Sequence, residues 1–191
     1  MNWLAHLLLS ENDPAFRLGN ILPDLMRLPE LQKLSPKFSS GIAQHRKIDS
    51  FTDSHETPKR SVARIEAPFR RYGNALVDVF YDHFLTVDWI EYSMFDRNDL
   101  VREFYASVDR FRDDLSPDTF QVLERMRDEN WLGCYADFDG IETTLRRMSF
   151  RLKRPFALHE AVAELERNYD GFHEDFQEFF PQLVAHLENV K

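Results

Sequence analysis

Cysteine is nearly absent from this chain of 191 residues, and the single Cys134 removes two kinds of architecture at once. No internal disulfide can staple the fold and no cysteine-cluster metal site can form, so any bound metal must take nitrogen and oxygen ligands. Positive charge is also in short supply: 24 Lys and Arg against 33 Asp and Glu leave a formal net charge of -9. A chain of that sign repels phosphate backbones, which argues against nucleic acid as a partner. A glycine-rich phosphate loop, a serine nucleophile elbow and an HExxH pair are all missing, which takes away the usual support for nucleoside-triphosphate and serine-hydrolase chemistry. No segment sustains the period-two alternation of a strand, and there is no repeat or low-complexity tract. The apolar run in MNWLAHLLLSEND lacks a basic leader and a small-residue cleavage site and soon meets Glu11 and Asp13. It reads as a first structural helix, with no membrane insertion, in a cytoplasmic protein.

What is abundant is apolar and aromatic surface, 43% and 14% of residues with 17 Phe, enough for one core. Residues 1–191 are therefore expected to form one all-α domain, a helical bundle. Ala75 to Tyr92 is apolar nearly all round, which suits the middle of a bundle. Thr57-Pro58 reads as a helix start, Gly73-Asn74 as the end of the segment that follows it, and Pro181 as the restart of a short last helix.

The stretch GIAQHRKIDSFTD, Gly41 to Asp53, departs from ordinary amphipathicity. At helical spacing His45, Asp49 and Thr52 share one narrow sector flanked by Ile42 and Ile48, so ionisable groups sit on the face to be buried. An imidazole and a carboxylate buried alone would cost several kcal/mol, so each needs a hydrogen bond, an opposite charge or a metal. Four more groups stand in apolar surroundings: His6 in the first helix, Asp24 after Pro23, and Asp82 with His83 in the Ala75 to Tyr92 helix. His6 also reads as a satisfied core residue and Asp24 as a helix-start charge. Together the set suits Mn, Fe, Zn or Co, or else a buried polar network that catalyses nothing.

The segments MNWLAHL, GNILPD, HRKIDSFTD, DVFYDHFL, WLGCY and FQEFFPQL resemble, in order over almost the whole chain, the acyl carrier protein phosphodiesterase family, a divergent all-helical relative of the HD phosphohydrolases. The resemblance implies hydrolysis of the phosphodiester that joins 4'-phosphopantetheine to a serine of acyl carrier protein, with manganese as the metal. On that reading His6, Asp24, His45, Asp82 and His83 form the ligand pool, Arg46 reaches the phosphate, and Asp49 orients His45 or handles a proton. An acidic carrier protein as substrate needs a basic landing surface on an acidic enzyme. Lys59, Arg60 and Arg64 are the first candidates for docking, and Arg146 to Arg154 the second. Two alternatives stay open: an HD-type phosphohydrolase acting on a nucleotide or other phosphoester, and a non-catalytic helical binding protein.

Overall fold

Helices make up every regular element among residues 1–189, which the computed structural model describes, so the all-α expectation holds. In chain order they are α1 (Trp3–Leu8), α2 (Pro14–Gly19), α3 (Leu28–Leu31), α4 (Ser39–Ser54), α5 (Glu56–Arg64), α6 (Gly73–Val87), α7 (Trp89–Tyr92), α8 (Arg97–Val108), α9 (Pro117–Asp128), α10 (Phe138–Ser149), α11 (Val162–Arg167) and α12 (Tyr169–Asn189), with short 3-10 turns between some of them. Local chemistry sets several of the starts. The side chains of Asp13, Asp96, Ser116 and Asp137 each accept a hydrogen bond from the main-chain N–H three residues on. Such a cap satisfies a donor that the first helical turn leaves over and is worth about 1 kcal/mol.

Four boundaries differ from the sequence reading. The Ala75 to Tyr92 segment is not one helix: it breaks at Asp88, which caps the end of α6 before α7, and Ile90 beyond the break is 88% exposed. Helix α5 begins before Thr57, because the ring of His55 caps it by accepting from the Thr57 N–H, while the Thr57 hydroxyl donates to Glu178. Gly73 opens α6 instead of ending the segment before it, and its bare Cα lies against Val62, where a Cβ would meet a methyl at 2.6 Å. Pro181 stays inside α12. A proline there removes one helical hydrogen bond. The buried Phe176, Phe179, Phe180, Leu183 and Leu187 on both sides of it hold the helix on its course.

The chain divides into two compact units, and the boundary between them falls inside the continuous α4. One unit is Trp3–Ile48 with Ser93–Gly133. Its core is built from Leu4, Leu7, Leu18, Ile21, Leu22, Phe104, Leu123 and Met126, with Trp3 stacked on Trp131 at 5.7 Å and Phe38 edge-on to Phe111. The other unit is Met1–Asn2, Asp49–Tyr92 and the chain from Cys134 on. Here α6 is buried on both sides, as its all-round apolar pattern predicts: Phe80 and Tyr81 meet Phe172, Phe176 and Phe179 of α12 at 5.3–5.7 Å between ring centroids. Each such buried ring contributes about 1.5–3 kcal/mol by leaving water.

Candidate metal centre

Asn20 is the hub of the site. It caps the end of α2 and is fully buried. Its Nδ2 donates to the His6 carbonyl at 2.8 Å and to Ser10 Oγ at 2.9 Å. Ser10 accepts there because its own hydroxyl donates to the same His6 carbonyl. Those two bonds fix which way the amide faces, and they turn Oδ1 onto His6 Nδ1 at 3.0 Å. The main-chain carbonyl of Asn20 meanwhile lies 2.9 Å from His45 Nδ1. Both oxygens can only accept, so both imidazoles carry a proton on Nδ1 and keep Nε2 as the basic nitrogen.

The rings of His6 and His45 are buried and stacked, with centroids 4.3 Å apart and planes inclined by 19°. A glycine pair makes this approach possible. A Cβ on Gly41, one turn before His45, would stand 2.1 Å from the Phe16 carbonyl oxygen and 2.8 Å from the Asn20 nitrogen. On Gly19 it would stand 2.5 Å from the Phe38 carbonyl oxygen and 3.2 Å from the Gly41 Cα. Only bare backbone lets the end of α2 cross the first turn of α4 closely enough for the Asn20 carbonyl to reach His45.

Carboxylates complete the cluster. Asp24 ends the 3-10 turn Leu22–Asp24, and its Oδ2 accepts from Trp3 Nε1 at 3.0 Å, which leaves Oδ1 3.7 Å from His45 Nε2. Asp49 stands one turn past His45 on α4. His6, His45 and Asp49 each offer one ligand atom, and the three atoms lie within 4.8 Å of one another. Lone-pair nitrogens and carboxylate oxygens at this range repel unless positive charge lies with them, either a proton that makes an imidazolium or a cation. Two imidazoles with carboxylates suit a borderline transition metal.

The family model for acyl carrier protein phosphodiesterase matches residues 1–183. The chain belongs to this family. The acyl carrier protein phosphodiesterase of Salmonella agona (strain SL483) is 31% identical over 186 residues, covering 97% of this chain and 96% of the relative. That of Enterobacter sp. (strain 638) is 30% identical over 190 residues, covering 99% and 98%. No solved structure matches the chain.

Within this member of the phosphodiesterase family the other residues singled out from the sequence fall into distinct settings. Arg46 is exposed on α4 beside His45. The Met1 ammonium is buried 2.9 Å from Asp78 and 3.8 Å from Asp49. Burial alone would lower its pKa, but Asp78 and Asp49, with a smaller contribution from Asp82, outweigh that and raise it. Asp82 thus acts on the same ammonium as Asp49, and it is fully buried. His83, the next residue on α6, points elsewhere. Its Nδ1–H donates to the Tyr135 carbonyl at 2.8 Å, and its Nε2 accepts from the Tyr169 hydroxyl at 3.1 Å. Burial is the main reason that its pKa lies below the ordinary histidine value, so the ring is neutral at pH 7.

The two basic stretches also differ. Arg60 binds Asp175 and Glu178, Arg64 grips Asp175 through two nitrogens, and Lys59 binds Glu56 and the Ser54 carbonyl, so the first stretch is balanced by acids of its own unit. In the second, Arg146 pairs with Glu142, while Lys153 and Arg154 are exposed and Phe150 is 84% exposed. Phe156 connects that stretch to Arg71, whose guanidinium lies 4.3 Å from its ring centroid. Arg70 beside it donates to the carbonyls of Ile65 and Ala63. Among the described residues no carboxylate pairs with Arg70, Arg71, Lys153 or Arg154, and rings and carbonyls leave the charge of Arg70 and Arg71 unbalanced.

The residues that sequence reasoning passed over are Asn20, Ser10, Trp3 and Gly41. Asn20 carried one usable signal, a polar residue set between the apolar Leu18 and Ile21, in the GNILPD segment that also contains Asp24.

Proposed function

We propose that this chain is a divalent-metal-dependent phosphodiesterase that removes 4'-phosphopantetheine from the serine of holo acyl carrier protein, with manganese as the metal. Family membership supports the carrier-directed part. The metal-dependent part is carried by one observation: two stacked imidazoles, both anchored through Nδ1–H on Asn20, keep their basic Nε2 atoms for the same small cluster of carboxylates.

His6, Asp24, His45 and Asp49 would hold the ion, with Asp82 as a further carboxylate. His83 is held within its own unit by Tyr135 and Tyr169. A divalent ion held there would lower the pKa of a bound water and offset charge on the phosphoryl oxygens. The chain's own groups do the rest. The Trp3 indole keeps Asp24 turned to the site, Asn20 keeps the two rings in register, and Arg46 binds a phosphate oxygen from the exposed side of α4. The carrier protein, acidic on the family resemblance, docks on the unbalanced cations Arg70, Arg71, Lys153 and Arg154 around Phe156.

The deciding experiment incubates the purified protein with holo acyl carrier protein and manganese, and follows intact carrier mass. Loss of the phosphopantetheine group, abolished by chelation or by His45→Ala in a folded variant, is the expected result. Full turnover by protein shown to be metal-free would overturn the metal reading, and an unchanged carrier alongside cleavage of other phosphodiesters would overturn the substrate.

A further inference from the structure

We infer that Asn20 is the positioning residue of the metal centre, holding His6 and His45 in one tautomer and one orientation and thereby setting the affinity for a divalent ion. The inference rests on the metal reading above and concerns a residue that need not touch the ion. A neutral imidazole in water prefers its proton on Nε2, which would put a hydrogen where a ligand lone pair is needed. Asn20 reverses that preference twice, with its side-chain oxygen 3.0 Å from His6 Nδ1 and its main-chain oxygen 2.9 Å from His45 Nδ1.

Asparagine is singled out by its inventory of groups. One short side chain must accept from a ring N–H and also donate twice, to the His6 carbonyl and to Ser10 Oγ. Aspartate has no donor to give, glutamine is longer by a methylene, and serine offers a single proton. Because Asn20 holds both the carbonyl and the ring of His6, that ring can neither rotate nor retreat without breaking bonds in a fully buried place. The His45 bond comes from main chain and depends instead on the crossing of Gly19 and Gly41. Changing the Asn20 side chain should therefore disturb His6 and spare His45, a selectivity that general loss of packing would not produce.

The test uses the metal-free full chain with nitrogen-15-labelled histidine at a pH where the rings are neutral. Side-chain spectra should show both His6 and His45 protonated on Nδ1 in the natural sequence. In Asn20→Ala, His6 should move toward the Nε2–H form while His45 does not. Manganese affinity by titration calorimetry should fall by about 10–100-fold, the usual effect of losing the partner that orients a ligand. Asn20→Asp, which keeps an oxygen facing His6 Nδ1, should recover most of the Nδ1–H population and part of the affinity. An Nε2–H ring at His6 in the natural sequence overturns the inference, and so do equal affinity losses in the two variants or an undiminished affinity in Asn20→Ala. If Asn20→Ala does not fold, the natural spectrum and Asn20→Asp still decide. If the natural chain binds no manganese yet shows both Nδ1–H rings, the metal reading fails while the tautomer assignment stands.

Discussion

Replacing Arg60 and Arg64 with glutamine separates two roles for the same cations, carrier docking and internal pairing, because the two predict different losses. Asp175 on α12 has a side chain only 1% exposed. It accepts from Arg60 Nε at 2.7 Å, from Arg64 Nε at 2.9 Å and NH2 at 3.2 Å, and from Ser61 Oγ at 2.7 Å. The Ser61 proton is thus committed to Asp175, and the Tyr81 hydroxyl, 2.9 Å from Ser61 Oγ, donates to that oxygen. Removing both guanidiniums leaves a buried carboxylate with one hydroxyl donor, a change that costs about 3–5 kcal/mol. At about 2–4 °C per kcal/mol for a chain of this size, the melting temperature should fall by about 6–20 °C. Asp175→Asn in the same background should restore part of the loss, because the orphaned charge is gone.

The pH dependence has a definite sign. Burial alone would raise the Asp175 pKa, but the hydrogen bonds from Arg64, Ser61 and Arg60 outweigh it and hold the group below the usual value. A depressed carboxylate contributes stability that is fully present above its unfolded pKa of about 3.9 and is lost as pH falls through the folded pKa. Without the arginines burial dominates and raises the pKa of Asp175, so protonation relieves the orphaned charge and the stability gap between the double variant and the natural chain should narrow as pH falls. Thermal melts from pH 7 to pH 3 check both statements. A variant that melts within about 2 °C of the natural chain, with only its KM for the carrier raised, would refute the pairing argument and return these residues to docking.

The remaining predictions concern the site and its surface. Gly41→Ala must push α2 off α4, so it should cost about 1–3 kcal/mol of stability by overpacking and, unlike a neutral surface change, move His45 off the Nδ1–H form in the same nitrogen spectra. Trp3→Phe removes the indole donor to Asp24 while keeping a ring against Trp131, and should weaken manganese binding by about tenfold in calorimetry with little change in melting temperature. Lys153→Glu with Arg154→Glu should raise KM for the carrier protein and flatten its salt dependence while leaving cleavage of a small phosphodiester unchanged, since rim charges act mainly on association. Equal losses on both substrates would place those residues in the catalytic machinery instead.

Periodicity made the elements legible and left their polar partners hidden. The all-round apolar pattern of Ala75 to Tyr92 anticipates the burial of α6 on both sides, though not the break at Asp88, and the misplaced polarity of His45 and Asp49 picks out two of the three clustered groups, the third being His6, because both are properties of one helix seen along its own axis. Asp82 and His83 look equivalent on that axis. Yet one residue of helical rotation separates a carboxylate acting on the Met1 ammonium from a ring held between Tyr135 and Tyr169. The same limit explains Arg60 and Arg64: their acids on α12 lie more than 100 residues away in sequence, so a local reading sees only uncompensated charge.

Asn20 illustrates the deeper reason. In the sequence it is one polar residue after a glycine, a pattern shared by countless turns, and its apolar neighbours Leu18 and Ile21 hint at burial without telling a turn from a hub. Its meaning comes from three long-range facts that must hold together: Gly19 and Gly41 let two backbones touch, the touching places a main-chain carbonyl on His45, and the amide beside it finds the ring of His6. A main-chain acceptor leaves no mark on residue identity, so half of this device is written in the two glycines and none of it in the histidines. The residue types of a candidate metal centre can therefore be listed from sequence, whereas the tautomers of its histidines depend on the backbone crossing that brings the listed residues together.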